Sequence, residues 1–357
     1  MQLFEHAANL HMHTPYSDGE AYHAQIAQAA LAAGLDLVCV TDHNVWVQGP
    51  ERYYAEGERR VLLLVGEELH DAARQPQKNH LLAYNHSREL APLAAQPQAL
   101  IDAVRETGGL AFLAHPCDAA VPLIDYEAID WVTWEVTGYT GLEIWNYMSD
   151  WARLLTTKAA ALRYSLNPDL GVTGPAAETL ARWDALTAAG QRVVGIGNSD
   201  AHATVYQKWG VSRCLFPYEF LFRQVNTHLL TREPLTGDAG QDRDRLMAAL
   251  GAGHCFIGYD GIAPTRGFRF SASGDHGVLT MGDETTNRGG LTLQLTAPQP
   301  ATLRLLRDGR EIARKDGQSL TQVLPAGETG AFRAEAYLSY KGRLRGWIYS
   351  NPIYVRP

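Results

Sequence analysis

The feature that most constrains this chain is an alternation. From its start to about Tyr259, short apolar runs are separated by Ala- and Leu-rich stretches of helical spacing, the pattern expected when buried parallel strands alternate with helices laid on a sheet. Residues 35–41 (LDLVCVT), 61–65, 80–84, 110–114, 142–145 and 192–197 read as strands, and 21–33, 98–106, 150–162 and 176–189 as helices. A (β/α) barrel or a wound sheet follows. After about Pro264 the character changes to short alternating strands, with turn signals at Asp308-Gly309 and Lys341-Gly342. This part reads as a small antiparallel β sandwich appended to the larger domain. The expected division is 1–262 for the α/β domain, with a helical insertion at about 120–190, and 263–357 for the sandwich.

A chain of 357 residues, 46% of them hydrophobic, can bury one large core and still build a smaller module. The net charge of −8 argues against general binding of nucleic acid or an anionic membrane. That charge is uneven: residues 302–357 hold ten Lys and Arg against five Asp and Glu, so this tail is +5 and the preceding part −13. The basic sandwich could steer an anionic substrate, but its arginines alternate with apolar residues as on the wet face of strands, so structural support or subunit contact in a homo-oligomer is the expected role. Cys39, Cys117, Cys214 and Cys255 form no short ligand spacing and read as buried thiols in a reducing compartment. With no signal-like start and no apolar run of membrane-spanning length, a cytoplasmic protein is expected.

The chemistry is carried by where His and carboxylate residues fall. In a parallel barrel the C-terminal strand ends share one rim, so residues placed there converge although distant in sequence. His11 and His13 lie two apart, on one side of an extended segment, and Asp18 follows in the next turn. TDHN supplies His43, and VGEEL supplies Glu67 and Glu68, of which only one can easily face the rim. NHLLAY opens with His80, LAHP supplies His115, and NSDAH supplies Asp200 and His202. A lone histidine at any of these places would read as a satisfied polar residue. Together they are too many ionisable groups for one mouth unless cations compensate them. Imidazole and carboxylate donors suit Zn, Mn or Fe.

The order HxH, Asp, TDHN, GxE, HLL, HP and SDAH resembles the polymerase and histidinol phosphatase (PHP) superfamily over roughly the first 260 residues. The resemblance implies a distorted seven-stranded (β/α) barrel with two or three divalent ions at its rim, acting on phosphoesters. It implies a first ion held by His11, His13, Glu68 and Asp200 and a second by Asp18, His43 and His202. A third would use Glu68, His80 and His115, with Glu68 as the bridge; the family's glutamate stands two residues after the glycine, which selects Glu68 and leaves Glu67 as a supporting residue. The GEE pairing, NHLL and the tail ending in SNPIYV more loosely resemble the branch related to carbaryl hydrolase, whose substrates are carbamate esters.

The expected function is thus that of a multinuclear metal-dependent phosphoesterase, a phosphatase or phosphodiesterase of a small molecule, using a metal-bridging hydroxide. Hydrolysis of a carbamate or carboxyl ester at the same centre is the first alternative, and a non-catalytic metal-binding accessory module the second. No GxSxG elbow or P-loop supports covalent acyl transfer or nucleoside-triphosphate chemistry. Asp200 and His202 are candidates for proton transfer. Substrate contacts are sought at Asn44, Asn146, Lys208 and Arg213. Each has a plainer reading: Asn44 as a helix cap, Asn146 in a tight turn, Lys208 and Arg213 as solvated charges. Trp46, Tyr53 and Trp145 are pocket-wall or packing aromatics, and His70 and His86 are expected on the surface or behind the site.

Overall fold

Residues 2–208, 211–275 and 277–357 are described by a computed structural model, the side chains at 206–208, 211 and 213 excepted. The chain begins with β1 (Phe4–Asn9), α1 (His23–Ala33), β2 (Leu37–Val40), β3 (Arg52–Glu56), β4 (Arg59–Val65), β5 (Glu67–Leu69), β6 (Leu81–Tyr84), α2 (Pro97–Glu106), β7 (Leu110–Leu113) and β8 (Gly141–Asn146). A helical stretch of α3 (Tyr147–Ala152), α4 (Lys158–Leu166) and α5 (Ala177–Ala188) leads to β9 (Val194–Asn198). The paired strands β10 (Val205–Lys208) and β11 (Val211–Cys214), α6 (Tyr218–Phe222), β12 (Val225–Thr231), α7 (Ala239–Ala252) and β13 (Cys255–Tyr259) complete the mixed α/β part. Only strands follow among the described regular elements: β14 (Arg269–Gly274), β15 (Gly277–Thr280), β16 (Glu284–Thr286), β17 (Leu291–Arg307), β18 (Arg310–Leu324), β19 (Gly330–Tyr340), β20 (Arg343–Ser350) and β21 (Ile353–Arg356).

Local chemistry sets several of these boundaries. Helix α1 ends at Gly34, whose left-handed φ of 81° lets its N–H reach the last carbonyls, those of Ala30 and Leu31. Helix α7 starts where the Asp238 side chain accepts from Gln241 N and stops at Gly253 with φ 73°. The expected helix over 150–162 is instead broken into α3 and α4, because Thr157 turns extended and accepts from Ala160 N, starting a new helix. The turn signals fare better: Asp308-Gly309 and Lys341-Gly342 all have positive φ, as a tight hairpin turn demands, and close β17–β18 and β19–β20.

Two sheets carry the site. A five-stranded one runs β5-β6-β7-β8-β9, and a 14-stranded one contains the path β15-β14-β17-β19-β20-β13-β12-β1-β2-β4-β3. Strands β1, β2 and β4 are parallel, as are β7, β8 and β9, but β6 is antiparallel to both β5 and β7. The sequence pattern of uniform βα units therefore fails at β6, and again at β3, which is antiparallel to β4, and at β12, which is antiparallel to both β1 and β13. The C-terminal strands expected as an appended sandwich are hydrogen-bonded into the larger sheet through β13–β20, where Ile257 faces Tyr349. Only Gly66 separates β4 from β5; a Cβ there would stand 2.5 Å from the Ala83 carbonyl, so glycine is what lets this chain pass β6. Isolated bridges join Met12 to Ala201 and His43 to Glu68. Buried apolar side chains among the described residues form two clusters, the larger of which fully encloses Trp145, Trp183, Phe256 and Trp347.

Candidate metal centre

All nine positions singled out in the sequence come together around one carboxylate. Glu68, buried on β5, turns Oε2 toward His11 Nε2 (3.0 Å), His13 Nε2 (3.2 Å) and His43 Nδ1 (3.3 Å). Its Oε1 faces His80 Nδ1 (2.8 Å) and His115 Nε2 (3.0 Å). Asp200 Oδ1 lies 3.3 Å from His11 Nε2 and 3.2 Å from His13 Nε2. Toward solvent, Asp18 stands 3.3 Å from His202 Nε2, 3.6 Å from His13 Nδ1 and 3.7 Å from His43 Nε2. Donor atoms of three sets lie within 4.8 Å of one another: His13, Asp18, His43 and His202; His11, His13, Glu68 and Asp200; and His43, Glu68 and His80. The first two contain the ligand sets expected for two of the ions. The third exchanges His115 for His43, although His115 still faces Glu68.

How these side chains converge follows from the strands. His80 precedes β6 rather than following it, and reaches the same rim as the others because β6 runs the opposite way. Glu67 and Glu68 occupy opposite faces of β5: Glu68 enters the cluster, while Glu67 turns to His86 Nε2 at 3.4 Å. The loop with Asp18 is tied down by Asp42, whose carboxylate accepts from Thr14 N, Thr14 Oγ1 and Ser17 Oγ, each at 2.7 Å. Gly19 closes this loop against the His13 carbonyl, where a Cβ would stand only 2.2 Å away. Asn44, His115, Asp200 and Ala203 all have positive φ, so the rim holds residues in a backbone region that side chains normally avoid.

The electrostatics divide the imidazoles. Burial opposes charge on the five that face Glu68. Even so, Asp200 and Glu68 raise the His13 pKa to about 9, and Glu68 first among its acidic neighbours raises His115 to about 9. Asp200 and Glu143 hold His11 well above its ordinary value. Burial wins at His43 and His80, pushing them down to about 3 and about 4. Burial likewise works against ionisation of Glu68 and Asp200, but the surrounding imidazoles, His11 foremost, hold both carboxyls well below the carboxylate range. Anionic oxygens thus sit among imidazoles that take up protons as compensation. His43 Nδ1 and His80 Nε2 are buried with no hydrogen-bond partner among the described residues. Divalent cations fit this donor set, because they replace the compensating protons and use the unpartnered nitrogens.

Several residues that sequence reasoning passed over hold the centre in place. Glu143, buried within β8, accepts from His11 Nδ1 (3.0 Å) and Asn198 Nδ2 (3.1 Å) through one oxygen. The other accepts from His115 N and Asn146 Nδ2, both at 3.0 Å. Its only sequence signal was an acid inside the apolar run LEIWN. His70 and His86, expected on the surface or behind the site, are both buried; His70 stacks on His80 with ring centroids 4.4 Å apart and meets His43 edge-on at 5.0 Å.

The expected substrate contacts are already engaged where their side chains are described. Asn146 also donates to Asp200 Oδ2 (3.2 Å), and its oxygen caps α3 at Ser149 N (2.9 Å). Asn44 Oδ1 accepts from His70 N (3.0 Å), and a strand rather than a helix follows it. Lys208 and Arg213 stand in β10 and β11 with side chains outside the described residues. Of the aromatics, Trp46 packs on His86, Tyr53 donates to Asp242 (2.7 Å), and Trp145 is core.

Residues 9–108 match the model of the PHP domain, a span that holds six of the nine clustered residues. An uncharacterized protein of Methanocaldococcus jannaschii is 28% identical over 120 residues, 30% of this chain and 67% of that protein. Among solved structures, a two-domain protein of Bacteroides vulgatus containing a predicted PHP-like metal-dependent phosphoesterase is 15% identical with a TM-score of 0.47, over 98% of this chain and 95% of that one. A candidate metal-dependent phosphoesterase of Bifidobacterium adolescentis is 15% identical with a TM-score of 0.32, over 55% of this chain and 87% of that one.

Proposed function

We infer that this chain, which belongs to the PHP superfamily through residues 9–108, is a metal-dependent phosphoesterase of small molecules. The observation that carries the reading is the double-faced Glu68, whose two oxygens meet imidazoles on opposite sides as a bridging carboxylate would. His11, His13, Glu68 and Asp200 would hold one ion, Asp18, His43 and His202 a second, and Glu68, His80 and His115 a third, with Zn, Mn or Fe suited to the donors. Such ions supply a water of lowered pKa and neutralise charge on phosphoryl oxygens. The rest falls to the chain. Glu143 fixes the His11 ring by accepting at Nδ1, leaving Nε2 to face Glu68. Asn146 steadies the Asp200 carboxylate. His202 Nδ1 donates to the Asp200 carbonyl (2.9 Å), which turns Nε2 toward Asp18 on the solvent side.

The fold reading that goes with this function is a distorted seven-stranded barrel of β1, β2, β4, β6, β7, β8 and β9. It is supported by the passage of β4 into β5 and by the Met12–Ala201 bridge. Residues 1–262 would form this domain and 263–357 its C-terminal companion. The test is elemental analysis of protein purified without chelator, beside His43→Ala and Asp200→Ala, with every sample assayed on a phosphomonoester, a phosphodiester and an aryl carbamate. Two or three metal equivalents in the parent, reduced in the variants together with phosphoester turnover, are expected. Turnover of the carbamate alone would move the enzyme to another ester class, and low metal after reconstitution without turnover would end the hydrolase reading.

A further inference from the structure

His115 faces Glu68 with its Nε2, at 3.0 Å, while its Nδ1 is buried with no hydrogen-bond partner among the described residues. The ring borders a polar cavity of about 10 Å3 whose wall also includes Asp118, Asp150 and Arg153. Two more of the wall's buried atoms have no partner among the described residues, Asp118 Oδ1 and Arg153 Nε. His115 and Asp118 are only 4% and 8% exposed. Asp118 is held in place: its N–H donates to the His115 carbonyl (2.9 Å), and its Oδ2 accepts from the Tyr126 hydroxyl (2.7 Å) and from Ile129 N (3.1 Å), which leaves Oδ1 for the cavity. Arg153, the residue that ends α3, has its Nε 3.9 Å from Asp150 Oδ1, too far for a hydrogen bond.

The turn after β7 and the end of α3 thus each bring one N–H donor and one carboxyl group to the same small space, from His115 and Asp118 and from Arg153 and Asp150. A cation would meet two donors there, one of them already charged, and an anion would meet two carboxyl groups. Water offers two lone pairs and two protons, and a cavity of this size holds one molecule. We propose that the cavity seats a single ordered water linking His115 Nδ1 to Asp118 Oδ1, which makes Asp118 a positioning residue for His115. The proposal rests on the metal reading above, since a ring that gives Nε2 to an ion carries its proton on Nδ1, and a buried N–H requires an acceptor. Glu143 fills that role for His11 directly, at 3.0 Å, but meets His115 only at the backbone N–H. Through the water, Asp118 does for His115 what Glu143 does for His11.

The test starts from a crystal structure of the protein reconstituted with zinc, in which a water should lie within hydrogen-bond distance of both His115 Nδ1 and Asp118 Oδ1. Asp118→Asn keeps a carbonyl oxygen for Tyr126 and Ile129 but turns an N–H toward the cavity, so the water meets three donors and one acceptor. Chelator competition should then show one zinc equivalent weakened about 10- to 100-fold, as for a residue that orients a ligand, and the others unchanged. Tyr126→Phe loosens the same carboxylate at its other oxygen and controls for a purely structural role: it should lower stability to urea yet leave zinc binding as in wild type. The His115 Nδ1–H proton resonance, identified by its loss in His115→Ala, should shift in Asp118→Asn and stay in place in Tyr126→Phe. If Asp118→Asn fails to fold, the wild-type crystal structure and resonance decide. A dry cavity, an ion inside it, wild-type zinc affinity in Asp118→Asn, or equal losses in Asp118→Asn and Tyr126→Phe would each overturn the proposal and leave the metal centre standing. A wild type that takes up no zinc would remove the metal reading and this proposal with it.

Discussion

Glu68→Gln changes one oxygen to an amide without changing shape, and therefore isolates the charge at the hub. With the anion gone, the five imidazoles facing it lose the group that draws them together, and an amide cannot bridge two cations with two equivalent oxygens. Metal content should fall by at least one equivalent and turnover by about a thousandfold or more, on the scale of removing a major electrostatic contributor. Retained metal with near-native turnover would show that Glu68 is not the bridge. Glu143→Gln is subtler: it keeps one acceptor oxygen, for His11 and Asn198 or for His115 and Asn146, and brings an N–H against the donors of the other pair. Metal affinity should weaken about 10- to 100-fold, as for a residue that orients ligands, measured by competition with a chelator; an unchanged affinity would make Glu143 merely structural. The difference between these two residues also shows what a sequence reveals. His and carboxylate residues in short, unusual spacings were legible because chance placement of satisfied polar residues does not account for nine of them at successive strand ends. Glu143 was not, since a single acid in a strand has no spacing to betray it and three of its four partners, His11, His115 and Asn198, arrive from distant segments.

At the scale of elements, the instructive strand is β6. An alternation of apolar runs says where strands are but not which way each one runs, and direction decides whether a residue before or after the run reaches the rim. His80 joins the cluster for a reason its sequence could not supply, the reversal of β6 between β5 and β7. The broken helix α3–α4 was hidden for the opposite reason: Ala and Leu content favours helix throughout, and the interruption depends on Thr157 and on Asn146 starting α3. Asn146 is therefore a sensitive point, serving as helix cap and as donor to Glu143 and Asp200 at once. Asn146→Ala should cost about 0.5–2 kcal/mol for the cap alone, read by urea denaturation, and lower kcat with little effect on KM, because its other contacts position site residues rather than substrate. A rise in KM with kcat unchanged would instead return Asn146 to the substrate contacts among which its sequence position had placed it.

For the whole molecule, what the sequence concealed is the join between its two halves. A change of strand character near Pro264 suggests a separate module, yet pairing of β13 with β20 spans about ninety residues of chain and leaves no local signature. The join has a polar counterpart at His228. Fully buried on β12 and stacked on Phe256, it contacts Glu5 of β1 at 2.9 Å, Asp260 just past β13 at 3.0 Å and the Thr265 hydroxyl at 2.9 Å. Glu5 also accepts from Arg269 of β14 at 2.5 Å, tying the first strand to the C-terminal ones. Burial works against charge on His228, but Asp260 and Glu5 outweigh it and raise its pKa to about 9 from an ordinary 6.5. A folded-state pKa above the unfolded one stabilises the native protein fully below about 6.5, and that contribution is lost as pH rises through about 9. The shift corresponds to roughly 3 kcal/mol as an upper bound, since its two carboxylates share the coupling. Urea denaturation between pH 6 and 10 should therefore show wild type losing stability from about pH 6.5 to about 9 and levelling off above, and His228→Gln starting less stable but following a flatter course. Parallel curves for the two proteins would mean that His228 is neutral in the fold and that the first strand is held to the C-terminal sheet by apolar packing and backbone pairing alone.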